Sequence, residues 1–318
     1  MERRRLGATG GTVGTIGLGT ATWGRGTDRS EAREQLAMLV DAGGNLVDLA
    51  PEAWQSGSAA AALSDSALRR ELFIAVRLPA AGSQRNLLAG LDDALGALGL
   101  GHADLWTVEG WDPALPWSEL VSALAVAVAS GRARYVGVCP SAPWHAALVG
   151  AGLAMHPDRS PLAAVTSAYS LLDRVAAEET ADVAMTVGAG LLAAWPLAGG
   201  VLTGKYRHST PPDSRGASER HAARVHHYRS AGSRPVVDGL CAAAEGLGTT
   251  PAALALAWVR DRPGVTAALV GARTLHQWRA TLAGADVVMP AEIRRALDEV
   301  TDEALTVGHD GESGSGSA

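Results

Sequence analysis

Short apolar runs alternate with longer stretches of helical period along most of the 318 residues. The runs at 15–20, 46–49, 71–78, 103–108, 135–138, 164–168, 191–194 and 267–270 are each short and apolar enough to be buried strands. Between them, residues 83–98 set Leu87, Leu88, Leu91, Leu95 and Leu98 on one face of an amphipathic helix. Asp28 with Glu31 forms the spacing of a capping box, opening a helix to about Ala42. Eight strand–helix alternations with short connections predict an α/β fold, a parallel (β/α)8 barrel. A β-hairpin over residues 4–13 precedes it, and extra C-terminal helices follow. The GTIGLG segment at 14–19 opens no helix, so a dinucleotide fold built on it is rejected.

One connection breaks the rhythm. Residues 206–233 carry prolines, arginines and histidines without clear periodicity and read as a long polar loop. His221, His226 and His227 lie in it, but no carboxylate stands at ligand spacing, so no metal site is assigned.

Composition narrows the class. The hydrophobic content of 47% suits one large core, so residues 1–308 are taken as a single domain and 309–318 as a disordered or appended tail. A net charge of −6 gives no footprint for nucleic acid, and no apolar run is long enough to span a membrane. With two cysteines and no metal spacing, a cytoplasmic setting is expected, with a small molecule as partner and the oligomeric state open.

The single lysine, Lys205, ends the stretch AAWPLAGGVLTGKY. Gly199, Gly200 and Gly204 would let backbone N–H groups approach an anion closely, although an ordinary glycine-rich turn reads the same way. A second stretch, ALVGARTLHQWRATL, puts Arg273 at the start of a helix that carries Gln277, where the helix dipole favours a phosphate.

In order and spacing these two stretches resemble the aldo-keto reductases, in the branch that includes potassium-channel β subunits. So do RRLGATGGTVGTIGLGTATWG, the WDP at 111–113, GRARYVGV, YSLLDR and ALAWVRDRPGV. The resemblance implies that Leu197, Gly199, Thr203, Lys205, Gly271, Arg273 and Gln277 bind NADP(H). It also directs attention to the C-terminal strand ends, where barrel enzymes carry their chemistry.

There the family pattern DTAxxYG, in which Asp orients and Tyr gives a proton while NADPH gives hydride, is matched by DLAPEAW. Asp48 is kept, Ala53 stands at the tyrosine and Trp54 at the glycine. Arg77 takes the place of a lysine, and Glu109 that of a histidine before WDP. Cys139-Pro140 replaces a Ser-Asn pair, and Thr166 replaces a glutamine. Trp23, Trp54, Trp111 and Trp195 are expected to line the mouth around a bulky apolar ligand; nine tryptophans against one phenylalanine make them conspicuous.

Three functions are compatible with these residues. The first is non-reductive acid/base chemistry (cyclisation, dehydration or isomerisation) in specialised metabolism, with Asp48 and Glu109 as proton carriers and Arg77 holding an oxyanion. NADP(H) would then be bound without being consumed. In that reading Trp106 and Trp111 flank Glu109 and exclude water from it. The second is NADPH-dependent reduction with Glu109 as proton donor. The third is a catalytically inactive cofactor-binding partner protein. A salt bridge between Glu109 and Arg77 is the structural alternative to any catalytic role.

Overall fold

The computed structural model describes residues 1–158, 160–229 and 232–312. Most of the expected tail, residues 313–318, lies outside the described residues, and the helix Ala291–Glu312 takes in its first four positions.

The chain opens with an antiparallel hairpin of β1 (Arg3–Arg5) and β2 (Thr12–Gly14). Eight parallel strands then close into a barrel: β3 (Ile16–Gly19), β4 (Leu46–Leu49), β5 (Phe73–Pro79), β6 (Ala103–Glu109), β7 (Ala133–Cys139), β8 (Leu162–Ala168), β9 (Gly190–Ala194) and β10 (Val265–Val270). Each runs beside its sequence neighbour, and β10 joins β3 to complete the ring. The protein is therefore a (β/α)8 TIM barrel with a leading hairpin and additional helices, as the alternation predicts.

Several boundaries differ from the pattern, each for a local reason. Asp65 accepts from the N–H groups of Ala67 and Leu68, so the helix Ser66–Glu71 takes up the start of the expected third barrel strand. In the helix Gln84–Leu98 the buried face is Leu87, Leu91, Ala94, Leu95 and Leu98; Leu88, one position off that stripe, is only half-buried. The long connection is not structureless: it contains a 3-10 turn (Arg215–Ala217) and a short helix (Ala222–His227). The expected capping box is formed, with the Asp28 carboxylate accepting from Glu31 N–H and the Glu31 carboxylate from Asp28 N–H.

The residues group into two units. The first comprises Met1–Ser167, Val175–Ala194 and Pro263–Arg279; the second comprises Ala168–Arg174, Trp195–Arg262 and the chain from Ala280 onward. Inside the first, Leu46, Phe73, Ala75, Leu105, Ala164, Leu192, Ala267 and Leu269 join Leu6 and Val13 in one apolar cluster. The hairpin thus contributes to the strand core. In the second, Trp258 is fully buried, its indole N–H donating to Asp298 and its ring packed edge-on against Tyr169 and beneath the guanidinium of Arg262. Among the described residues no single helix is long and apolar enough to cross a bilayer.

Candidate active site

Alternation along a strand places every second side chain on the barrel interior. Leu46, Phe73, Ala75 and Leu105 belong to the interior cluster, so Asp48, Arg77 and Glu109 share its parity and lie further toward the C-terminal strand ends. Register brings them side by side: Asp48 pairs with Ala75, Arg77 with Thr107, and Pro79 with Glu109. The apolar floor of the barrel gives way here to three charges.

They form one clamp. Arg77 Nη2 donates to Asp48 Oδ2 at 3.1 Å and Nη1 donates to Glu109 Oε1 at 2.9 Å. The guanidinium is held even more firmly in its charged form than usual, chiefly by Asp48, with Glu109 and the Cys139 thiol adding to it and burial opposing it. Its Nε–H is buried and has no partner among the described residues. The Asp48 side chain is only 9% exposed, whereas that of Glu109 is 42% exposed, so only the second carboxylate exchanges readily with solvent. The backbone under Asp48 is pinned by Thr20, whose hydroxyl donates to Asp48 O at 2.9 Å and accepts from Ala50 N–H at 3.0 Å.

Ala53 is completely buried in the helix Pro51–Gln55, and the adjoining Trp54 is half-buried with an indole N–H that has no partner among the described residues. The structure corrects two expectations about tryptophans. Trp106 lies on the opposite face of β6 from Leu105 and Glu109 and is fully buried, so it does not shield that carboxylate. Trp23 has no exposed surface; its N–H donates to Gln35 Oε1 at 2.8 Å, while Gln35 donates to Ala272 O and accepts from Trp278 N–H. It locks the helix Arg29–Asp41 and presents no face to a ligand.

Trp111 is placed differently. Its ring stacks on His145 with centroids 4.0 Å apart and planes 1° from parallel, and Trp144, 57% exposed, meets both edge-on. His145 and Trp144 open the helix that follows β7, and burial pushes the His145 imidazole below its usual range. Sequence reading missed this extension of the aromatic wall; the Pro-Trp-His opening of that helix is the signal it left unused. Cys139, in register with Glu109, was likewise taken only as a replacement and not as a neighbour of the clamp.

The glycine-rich stretch lies in the second unit. Gly199, Gly200 and Gly204 all adopt positive φ, at 67°, 94° and 77°. A Cβ on Gly200 would come within 3.0 Å of Lys205 Nζ, so only glycine leaves the lysine this position. Leu197 precedes the 3-10 turn Ala198–Thr203, and the Thr203 hydroxyl donates to Gly200 O. Trp195, also at positive φ, is engaged by Arg224, 4.5 Å above its ring, with Arg215 and His221 at 5.8 Å. In the first unit, Gly271 leads to Arg273, whose N–H donates to Gln277 Oε1, and Thr274 caps the helix Leu275–Ala283 through Gln277 N–H. The backbone N–H of Arg273 is thereby used, and its anion-binding potential rests on the guanidinium.

Comparison with known proteins places the whole barrel in one family. A model of the aldo/keto reductase family matches residues 15–302. An uncharacterised oxidoreductase of Bacillus subtilis, YrpG, is 29% identical across 94% of this chain and 96% of its own length. A probable voltage-gated potassium channel subunit beta of Oryza sativa is 29% identical across 91% of this chain and 92% of its own. L-glyceraldehyde 3-phosphate reductase of Escherichia coli is 35% identical over a shorter region, 62% of this chain and 57% of that protein.

Proposed function

Since the chain belongs to the aldo/keto reductase family, we propose that it is an NADP(H)-dependent oxidoreductase, reducing a carbonyl or conjugated double bond in a bulky apolar small molecule. The observation that carries this reading is the left-handed Gly199-Gly200 turn with Lys205 packed against it, where a Cβ on Gly200 would meet the lysine's tip at 3.0 Å. Such a turn suits a pyrophosphate. Leu197, Gly199, Thr203 and Lys205 would hold that part of the cofactor, and Gly271, Arg273 and Gln277 the 2′-phosphate end, where a guanidinium favours NADP over NAD.

When bound, the nicotinamide supplies a hydride. The chain's own residues must then stabilise the oxygen that gains charge and deliver a proton to it. Arg77 cannot release a proton at working pH, so it serves as a fixed cation facing the oxyanion. Glu109, the more exposed of the two carboxylates, carries the proton in from solvent. Asp48 holds the guanidinium in place. Ala53 has no proton to give, which leaves this duty to the clamp. Trp54 and Trp111 offer apolar surface for the substrate.

The test is to incubate the protein with a panel of aldehydes, ketones and enones and follow NADPH oxidation together with product mass. A two-hydrogen mass gain that strictly requires NADPH is expected, slowed about 10²-fold or more in Glu109→Gln with cofactor binding near normal. Product of unchanged composition formed without NADPH would assign the same clamp to acid/base chemistry. Cofactor binding is checked separately by calorimetry: Arg273→Glu should abolish it, and equal affinities for NADP and NAD would remove Arg273 from the site.

A further inference from the structure

A cavity of about 250 Å³ lies wholly within the second unit, and its charge is lopsided. Among the described residues, Arg207, Arg229, Arg234 and His208 line it, against one carboxylate, Asp238. Asp238 accepts from Arg207 Nε at 2.8 Å and lies 3.7 Å from Arg234 Nε, so its single charge is shared between two guanidinium groups. Arg229 is held by neutral oxygens instead: its Nη1 donates to Thr210 Oγ1 at 2.8 Å and its Nη2 to Tyr206 O at 3.4 Å. Its plane also sits over the Tyr206 ring, 5.5 Å from the centroid. These contacts fix Arg229 without neutralising it.

The three arginines come from different segments. Arg207 follows the glycine turn, Arg229 lies in the long connection, and Arg234 is in the first turn of the helix Ser233–Gly246. Three guanidinium groups lining one cavity, two of them sharing a single carboxylate, suit the oxygens of a phosphate group. The volume exceeds what a bare phosphate needs, and Val201 and Val237 add apolar wall for a small organic remainder. None of Leu197, Gly199, Thr203 and Lys205 lines this cavity.

We propose that the Arg207–Arg229–Arg234 cavity binds the phosphate group of a small organic phosphate, at a site separate from the glycine cradle. The cradle segment runs directly into Arg207 through Lys205 and Tyr206, so occupancy would also brace that segment.

The experiment is calorimetric titration of the full chain with inorganic phosphate and with phenyl phosphate at low ionic strength, chloride being the matched control. It is run both without cofactor and with saturating NADP, so its outcome does not depend on the oxidoreductase reading. One saturable site is expected, tighter for phenyl phosphate and retained in NADP. Binding should weaken at least about 10-fold in Arg229→Gln and in Arg234→Gln, as loss of a charge-assisted bidentate contact implies. Arg234 is 85% exposed, so its variant decides the matter if Arg229→Gln fails to fold. A non-saturating response equal to that of chloride would mean an adventitious ion only. Unchanged affinity in the variants, or displacement by NADP, would equally overturn the proposal.

Discussion

Two arginines, Arg77 half-buried in the first unit and Arg260 buried in the second, show how differently the same side chain can be used. Arg260, 8% exposed, spends its donors on its neighbourhood: Nε and Nη2 grip both oxygens of Asp261, Nη1 serves Gly284 O and Ala285 O, and Nη2 also reaches Val287 O. Its fork ties the 284–287 segment to the end of the helix Pro251–Arg260. Arg77 grips two carboxylates on adjoining strand ends, yet its Nε–H is buried without a partner among the described residues. A buried donor left unpaired costs about 1–3 kcal/mol. Satisfaction by backbone carbonyls marks an arginine that builds the fold. Arg77 is instead held by two carboxylates at the candidate site, with one N–H unused among the described residues.

The sharpest way to break this contrast is Arg260→Met. It removes the donor that three backbone carbonyls share and the bidentate partner of Asp261, leaving Arg294 at 3.4 Å, and should cost about 3–5 kcal/mol of unfolding free energy in urea titration. Cofactor affinity of the folded fraction should be unchanged. A loss below about 1 kcal/mol would show that Arg260 is not the strut described. The reciprocal change, Arg77→Met, removes the cation proposed to face a developing oxyanion. Turnover should fall about 10²- to 10³-fold, the scale of losing one preorganised donor. If turnover survives while stability collapses, the roles of the two arginines are reversed.

Tyr228 sharpens the structural side. Its hydroxyl donates to Asp173 Oδ2 at 2.9 Å, and burial together with that carboxylate pushes the phenol above its ordinary range. Tyr228→Phe should cost about 1–2 kcal/mol by leaving Asp173 short of a donor. The folded state favours the neutral phenol. That stability is therefore fully present below the unfolded value of about 10 and is lost as pH rises above it. The variant should flatten the alkaline limb of a stability–pH profile; an unchanged limb would detach Tyr228 from it.

The smallest effect is expected at His145. Burial holds its imidazole below the usual range, so the folded state prefers it neutral. Its contribution is present above about pH 6.5 and is lost as pH falls through the lower folded value. His145→Gln should reduce the slope of melting temperature against pH between about 5 and 7. It should also loosen Trp111, which tryptophan fluorescence reads directly. An unaltered emission spectrum would show that the stack does not hold the ring.

Much of the fold was legible because its signals are local. Alternating apolar runs and helix-period stretches require only the chain's own neighbours, and Asp28 with Glu31 announces a helix start within four positions. The glycines at 199, 200 and 204 likewise betray a left-handed turn, since few other residues tolerate that backbone. The long connection was misread because the helix Ala222–His227 buries only Val225 and so carries no apolar period.

What the chain alone determined is the order of strands and helices, and the residue types delivered to each strand end, because both follow from local periodicity and backbone sterics. Asp48, Arg77 and Glu109 could be placed at the C-terminal ends without knowing their contacts. Only the tertiary structure decided that Arg77 spans both carboxylates, that Trp23 is sealed against Gln35, and that Trp111 is paired with His145 instead. Those outcomes depend on strand register and on which side of a strand each ring falls, and a shift of one residue reverses them.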